Sequence, residues 1–184
     1  MFLSLRRVGD GGGDRIGEMM LNICLMNLVK ATLVYVTDGD RTLMIHRVRK
    51  AQDLHAGKYN GLGGKLEEGE TPWECAIREV KEESNLDISE LKFKGHLLFP
   101  KFDGQGRDWL VFVYRAHRFS NVLVAENREG VLEWVANDQL LALNLWPGDR
   151  LFLPYIHTEH TFDGKLFYKD GVLDKTKEQL IRTL

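Results

Sequence analysis

The sequence predicts an α+β domain in which a mixed β-sheet lies between layers of helix (α/β/α). Three observations predict it. Segments with strand character outnumber those with helical periodicity, and the best-defined helix follows a glycine-dense loop instead of alternating regularly with strands, as a doubly wound parallel sheet would require. The length, 184 residues, suits one core, because single domains commonly span roughly 100–200 residues.

Residues 1–26 are expected to form a tail ahead of a domain covering 27–184. GDGGGD has the makeup of a flexible linker, and Met19, Met20 and Met26 are alternative starts. The apolar run over 19–29 lacks a small-residue cleavage site and is shorter than the ~20 residues a bilayer span needs. Residues 29–36 (VKATLVYV) are rich in β-branched side chains and end in Thr37-Asp38-Gly39-Asp40, after which TLMIHR resumes an apolar run. This pattern reads as a β-hairpin with a DG turn.

Residues 48–65 are loop-like and glycine-dense, and they lead to a helix over 72–84. Thr71 serves as N-cap, Pro72 suits the first helical position, and Glu74 completes a capping box. Trp73, Ala76, Ile77 and Val80 share one face and are expected to enter the core. Further strands are expected over 91–99, 109–116, 132–135 and 162–169, with short helices over 139–143 and 148–155.

A composition of 43% hydrophobic and 28% charged residues excludes a disordered or fibrous chain. The net charge of −2 supplies no global basic field of the kind that long nucleic acids recruit. Neither duplex nucleic acid nor a membrane is an expected partner. A small anion remains compatible, since one metal ion or a few cations neutralise it locally. The only two cysteines are Cys24 and Cys75, the latter on the helix, which reads as a reduced cytoplasmic protein. A monomer or homodimer is expected.

The helix carries the chemistry. Glu79 precedes Glu82 and Glu83 by three and four residues, so the three carboxylates share one face, flanking the apolar stripe. Like charges so placed repel, a cost that a divalent cation converts into attraction. Oxygen ligands select Mg²⁺, with Mn²⁺ as a substitute. Arg78 reaches Glu82 at i+4 and would hold it. An isolated E-x-x-E-E is most often a solvated face; here the wider pattern decides.

That pattern, G-x5-E-x7-R-E-U-x-E-E-x-G-U with U aliphatic, is matched by Gly64, Glu70, Arg78, Glu79, Val80, Glu82, Glu83 and Leu86. The chain thereby resembles the Nudix hydrolases. Its one departure is Asn85 in place of glycine, the next best residue for a left-handed helix end. KYNGLGGKLEEGET and LWPGDRLFLPY are similar to the oxidised-purine nucleoside triphosphatase branch.

The resemblance implies a Nudix fold and Mg²⁺ held by Glu79, Glu82, Glu83 and the Gly64 carbonyl. It implies hydrolysis of an oxidised purine nucleotide such as 8-oxo-dGTP to the monophosphate and pyrophosphate, with Glu83 or Glu129 as general base. Asn60 and Asp149 would read the purine edge, Trp146 would stack on the base with Phe99 facing it, and Thr32 and Arg47 would line the pocket. The family's second acidic position falls on Gly148. Two other readings stay open: a Nudix hydrolase of another substrate (a nucleoside diphosphate sugar, dihydroneopterin triphosphate or capped RNA), and a Nudix-fold binding module without catalysis.

Overall fold

The computed structural model describes residues 28–48 and 57–184. The expected tail, Cys24 and residues 49–56 of the glycine-dense loop lie outside them.

Strand β1 (Leu28–Asp38) turns into β2 (Arg41–His46). Asp38 pairs with Arg41, so the turn centres on Gly39 and Asp40. Gly39, at φ 59°, supplies the positive dihedral that a type II′ hairpin needs at its first central position. The two-residue β3 (Tyr59–Asn60) pairs with β2. Helix α1 (Pro72–Ser84) is followed by the long strands β4 (Asp87–Phe99) and β5 (Asp108–Ser120), and then by β6 (Val131–Ala136). A 3-10 turn (Asn137–Ala142), helix α2 (Asp149–Ile156), β7 (Phe162–Lys165), the hairpin β8 (Tyr168–Lys169) and β9 (Val172–Leu173), and β10 (Leu180–Thr183) complete the chain.

The main sheet runs β10-β7-β4-β5-β1-β2-β3, with β6 also paired to β2. It is mixed: β1 lies parallel to β5 and β4 parallel to β7, while the other pairs are antiparallel. Period-2 alternation gives each face its own core. Val34, Val36, Leu43 and Ile45 pack with Ala76 and Val80 of α1. Tyr35 and Met44, one residue out of step, pack with Phe152, Leu153 and Ile156 of α2. The sheet therefore lies between the two helices, the α/β/α arrangement expected. Fully buried Lys94 ties the end of α2 to β4 by donating to the carbonyls of Thr158 (2.7 Å) and His160 (2.6 Å).

Four expectations are corrected. Trp73 stays 45% exposed, edge-on to Tyr114 at 6.3 Å, so the buried stripe of α1 starts at Cys75 and Ala76. The short helix expected over 139–143 is a 3-10 turn that runs from Asn137 to Ala142, with Leu143 already extended. The strand expected over 162–169 breaks after Lys165. Leu166 N–H makes the last bond to β4, at Leu98 O (2.9 Å), and the Gln179 side chain then takes Phe167 N–H at 2.7 Å, drawing the chain off the sheet. Strand β4 begins at Asp87, four residues earlier than expected, because its bulges near Glu90 let charged residues pair with β5.

Candidate active site

The glycine loop runs along the edge of β1. Leu62 and Val34 exchange backbone bonds, and Thr32 N–H donates to Gly64 O at 2.8 Å. Helix α1 then begins with Thr71 accepting from Glu74 N–H at 3.2 Å and Glu74 accepting from Thr71 N–H at 2.9 Å, the full capping box. It ends at Asn85 in the left-handed region, φ 65°. The loop and the helix press together: a Cβ on Gly64 would run into the Glu79 carboxylate, and one on Gly63, at φ 139°, into the Thr32 carbonyl. Only glycine fits at 63, and a side chain at 64 would have to displace the Glu79 carboxylate.

Arg78 organises the carboxylates differently from expectation. Its Nε and Nη2 form a two-pronged pair with Glu70, at 2.8 and 2.9 Å, and its Nη1 donates to Glu79 at 2.9 Å. Glu82 stands 3.5 Å away with its side chain 52% exposed, a looser pairing than the i+4 spacing suggested. The guanidinium beside Glu70 holds that carboxyl down at about 2. Burial raises Glu79. Glu83 is the most perturbed: burial, then the charges of Glu129 and Glu79, push it up to about 8, although Gly63 N–H donates to it at 2.9 Å.

Glu129 is paired with Arg47. Its turn is held by Asn127, whose Oδ1 accepts from Glu129 N–H at 2.7 Å and whose Nδ2 donates to Glu83 O at 2.9 Å. Among the described residues, no three His, Cys, Asp or Glu side chains stand close enough to form a ready-made metal nest. Glu79 turns to Arg78, Glu83 to Gly63 N–H, and Glu82 is half exposed. The donor set fits a hard divalent ion: all are carboxylate oxygens, and burial, with the neighbouring carboxylates adding to it, disfavours bare charge on Glu79 and Glu83, which a cation would offset. The Gly64 carbonyl, the expected backbone ligand, accepts Thr32 N–H at 2.8 Å and faces the Cys75 thiol at 3.6 Å, bonds that fix the loop beside Glu79; its second lone pair is the one a cation would use.

Glu83, Gly63 and Gly64 also line one end of a cavity of about 250 Å³ on the α2 face of the sheet, which all six expected substrate-binding residues line. Trp146 is buried under Lys58, whose Nζ lies 5.0 Å from the ring centre. Phe99 packs against Phe102 at 5.1 Å. Asn60 Oδ1 is buried and has no hydrogen-bond partner among the described residues. Burial pushes Asp149 up to about 7, against the pull of Lys58 and Arg150. Arg47 links this cavity to Glu129.

Thr32 is corrected. Alternation along β1 turns its side chain to the α1 face, where its hydroxyl meets Cys75 Sγ at 3.3 Å. Phe102, Trp109 and Tyr168, which also line the cavity, were not anticipated, nor was Asn127. Phe102 comes from a loop and Tyr168 from a short hairpin, neither with a periodic pattern to mark it, while Trp109 stands at the start of β5. Asn127-x-x-Gly130 was the one available signal for a side-chain-bonded turn.

A NUDIX domain matches residues 27–156. The chain is 33% identical to the oxidized purine nucleoside triphosphate hydrolase of Mus musculus over 139 residues, 76% of this chain and 86% of that one. The Danio rerio protein of the same name is 33% identical over 72% of this chain and 82% of its own length. The crystal structure of a MutT protein from Bacillus halodurans superposes with a TM-score of 0.69 at 26% identity, covering 84% of this chain and 97% of that one.

Proposed function

The chain belongs to the NUDIX family and is a Nudix hydrolase, and on that premise we propose that it hydrolyses an oxidised purine nucleoside triphosphate such as 8-oxo-dGTP to the monophosphate and pyrophosphate. The observation that carries this reading is the continuity of the two sites. The aromatic cavity with the unpartnered Asn60 Oδ1 opens directly onto Glu83 and the glycine loop. At about 250 Å³ it lies below the ~300 Å³ where whole-ligand pockets begin. That size suits one flat base with its triphosphate lying outside, along the carboxylates.

Glu79, Glu82, Glu83 and the Gly64 carbonyl would hold Mg²⁺, or Mn²⁺ in its place. The ion would supply neutralising charge and polarise phosphorus. Arg78 fixes Glu79 from one side while braced on Glu70 from the other. The proton released by the attacking water has two acceptors in the site, Glu83 and Glu129. Glu83 is oriented by Gly63 N–H, and Glu129 by Arg47 and the Asn127 turn. Trp146 stacks on the base, Phe99 closes the opposite side, and Asn60 and Asp149 read the edge. Oxidation turns N7 of guanine from an acceptor into a donor, which an ionised Asp149 accepts. The free thiol of Cys75 suits the reducing cytoplasm.

The test is a substrate panel with Mg²⁺ comprising 8-oxo-dGTP, dGTP, dATP and a nucleoside diphosphate sugar, scoring pyrophosphate against phosphate release. Pyrophosphate release with the oxidised purine in front is expected. A lead for the sugar compound would replace the substrate assignment, and no turnover of any compound would mark a binding module.

A further inference from the structure

The corner of the cavity next to Asp149 is occupied from an unexpected direction. Position 148 is glycine, and a Cβ built there would lie 2.6 Å from the Tyr168 hydroxyl and 2.9 Å from Leu166 Cδ1. The space that a side chain at 148 would take is filled by the Tyr168 phenol, whose oxygen accepts Gly148 N–H at 2.8 Å.

Tyr168 reaches this place on the β8–β9 hairpin. Its two-residue turn, Asp170 and Gly171, has both φ angles positive, 52° and 76°. The hairpin is tied to the sheet where Leu166 N–H bonds Leu98 O at 2.9 Å and where Gln179 takes Phe167 N–H at 2.7 Å. The ring stands edge-on to Trp146, 5.7 Å between centres at 81°, and to Phe102, 5.6 Å at 86°. It is an ordered part of the cavity wall.

A phenol oxygen that accepts one backbone N–H still has its own proton to donate. Among the described residues that proton has no acceptor. We propose that Tyr168 is a specificity-determining residue, its hydroxyl donating to the C6 carbonyl of a keto-purine while the neighbouring Asp149 accepts N7–H. The inference rests on reading the site as a purine triphosphate hydrolase.

The pair sets the direction of selection. A carboxyl presents a donor or an acceptor according to its protonation, but the phenol, raised by burial and by Asp149, stays protonated and presents a donor. A keto-purine edge, acceptor at C6 beside the donor N7–H of the oxidised base, complements the two. A 6-amino-purine turns a second donor toward Tyr168 and leaves both unmatched.

8-Oxo-dITP and 8-oxo-dATP share the sugar, the triphosphate and the oxidised five-membered ring and differ only at the C6–N1 edge, so their kcat/KM ratio is the readout. The wild-type protein should favour 8-oxo-dITP by about tenfold or more, the scale of one mismatched polar contact. Tyr168→Phe should lower kcat/KM for 8-oxo-dITP by about tenfold and leave 8-oxo-dATP nearly unchanged. An equal fall on both substrates would show that Tyr168 merely holds the Gly148 backbone, and an unaltered ratio would show that it does not meet the base; either overturns the inference. If Tyr168→Phe fails to fold, the wild-type Kd values for 8-oxo-dIMP and 8-oxo-dAMP decide, a ratio below about threefold overturning it. A wild-type protein that hydrolyses no purine triphosphate refutes the proposed function itself, whereas purine hydrolysis with no C6 preference refutes only the role of Tyr168.

Discussion

Around Glu79 and Glu83, charge is packed against charge and held by named donors, Arg78 on one carboxylate and Gly63 N–H on the other. Around Trp146, in the cavity that Glu83 also lines, the walls are aromatic, and the buried Asn60 Oδ1 has no partner among the described residues. The first region is strained by its own electrostatics and the second by an unmet hydrogen bond. Each deficit suits a different part of one ligand: cation and phosphates for the first, a base edge for the second. Hydrolysis and selection should therefore be separable by mutation.

The largest effect is expected in the charged region. Glu83→Gln should keep the fold and lower kcat by about two orders of magnitude or more, as when a catalytic metal loses a ligand. Near-wild-type turnover at saturating Mg²⁺ would remove Glu83 from the chemistry. Gly64→Ala is expected to be nearly as severe, since the new methyl group meets the Glu79 carboxylate and must displace it. Circular dichroism should stay native while kcat falls, and unchanged kcat would show that the Glu79 position is immaterial.

In the aromatic region the effects should be smaller and selective. Asn60→Ala should raise the barrier for the preferred purine by about 1–3 kcal/mol and change a poor substrate much less, because only the matched base loses a buried partner. Equal losses in kcat/KM on both would assign Asn60 to the turn alone.

The charged region was legible because its residues are contiguous. Thr71, Pro72 and Glu74 mark the start of α1, Asn85 marks its end, and 3.6-residue periodicity puts Glu79, Glu82 and Glu83 together. What stayed hidden there came from across the chain. The Asn127 turn that fastens Glu129 to α1, and the engagement of the Gly64 carbonyl by β1, depend on pairings that local pattern does not carry. The aromatic region is assembled from β3, β4, the loop before β5, β5 itself, the turn into α2, α2 and β8. Asn60 and Asp149 were readable only through family resemblance, and Tyr168 not at all, since the break after Lys165 that brings it over Gly148 is made by a side chain, Gln179. Likewise β3 has two residues and β10 has four, mostly exposed, so neither offers a hydrophobic alternation to detect.

The smallest predicted effect is a pH dependence of selection. Asp149, raised from 3.8 to about 7, can donate only below that pH and presents acceptors alone above it. The preference for 8-oxo-dGTP, whose N7–H needs an acceptor, over dGTP, whose N7 needs a donor, should rise severalfold between about pH 6 and 8. Asp149→Asn should flatten the profile. The same raised value adds stability that is fully present below about 3.8 and lost as pH rises through about 7, so the variant's Tm should vary less across that window. A wild-type ratio independent of pH would place Asp149 away from N7.

The division of labour is tested most directly by the ratio of kcat/KM for 8-oxo-dGTP to that for dGTP, measured in the wild type, Glu83→Gln and Asp149→Ala. The prediction is a wild-type ratio of about ten or more, preserved in Glu83→Gln although both constants fall by about a hundredfold, and collapsed toward unity in Asp149→Ala. A wild-type ratio of one, a ratio that collapses in Glu83→Gln, or one that survives in Asp149→Ala would contradict the account.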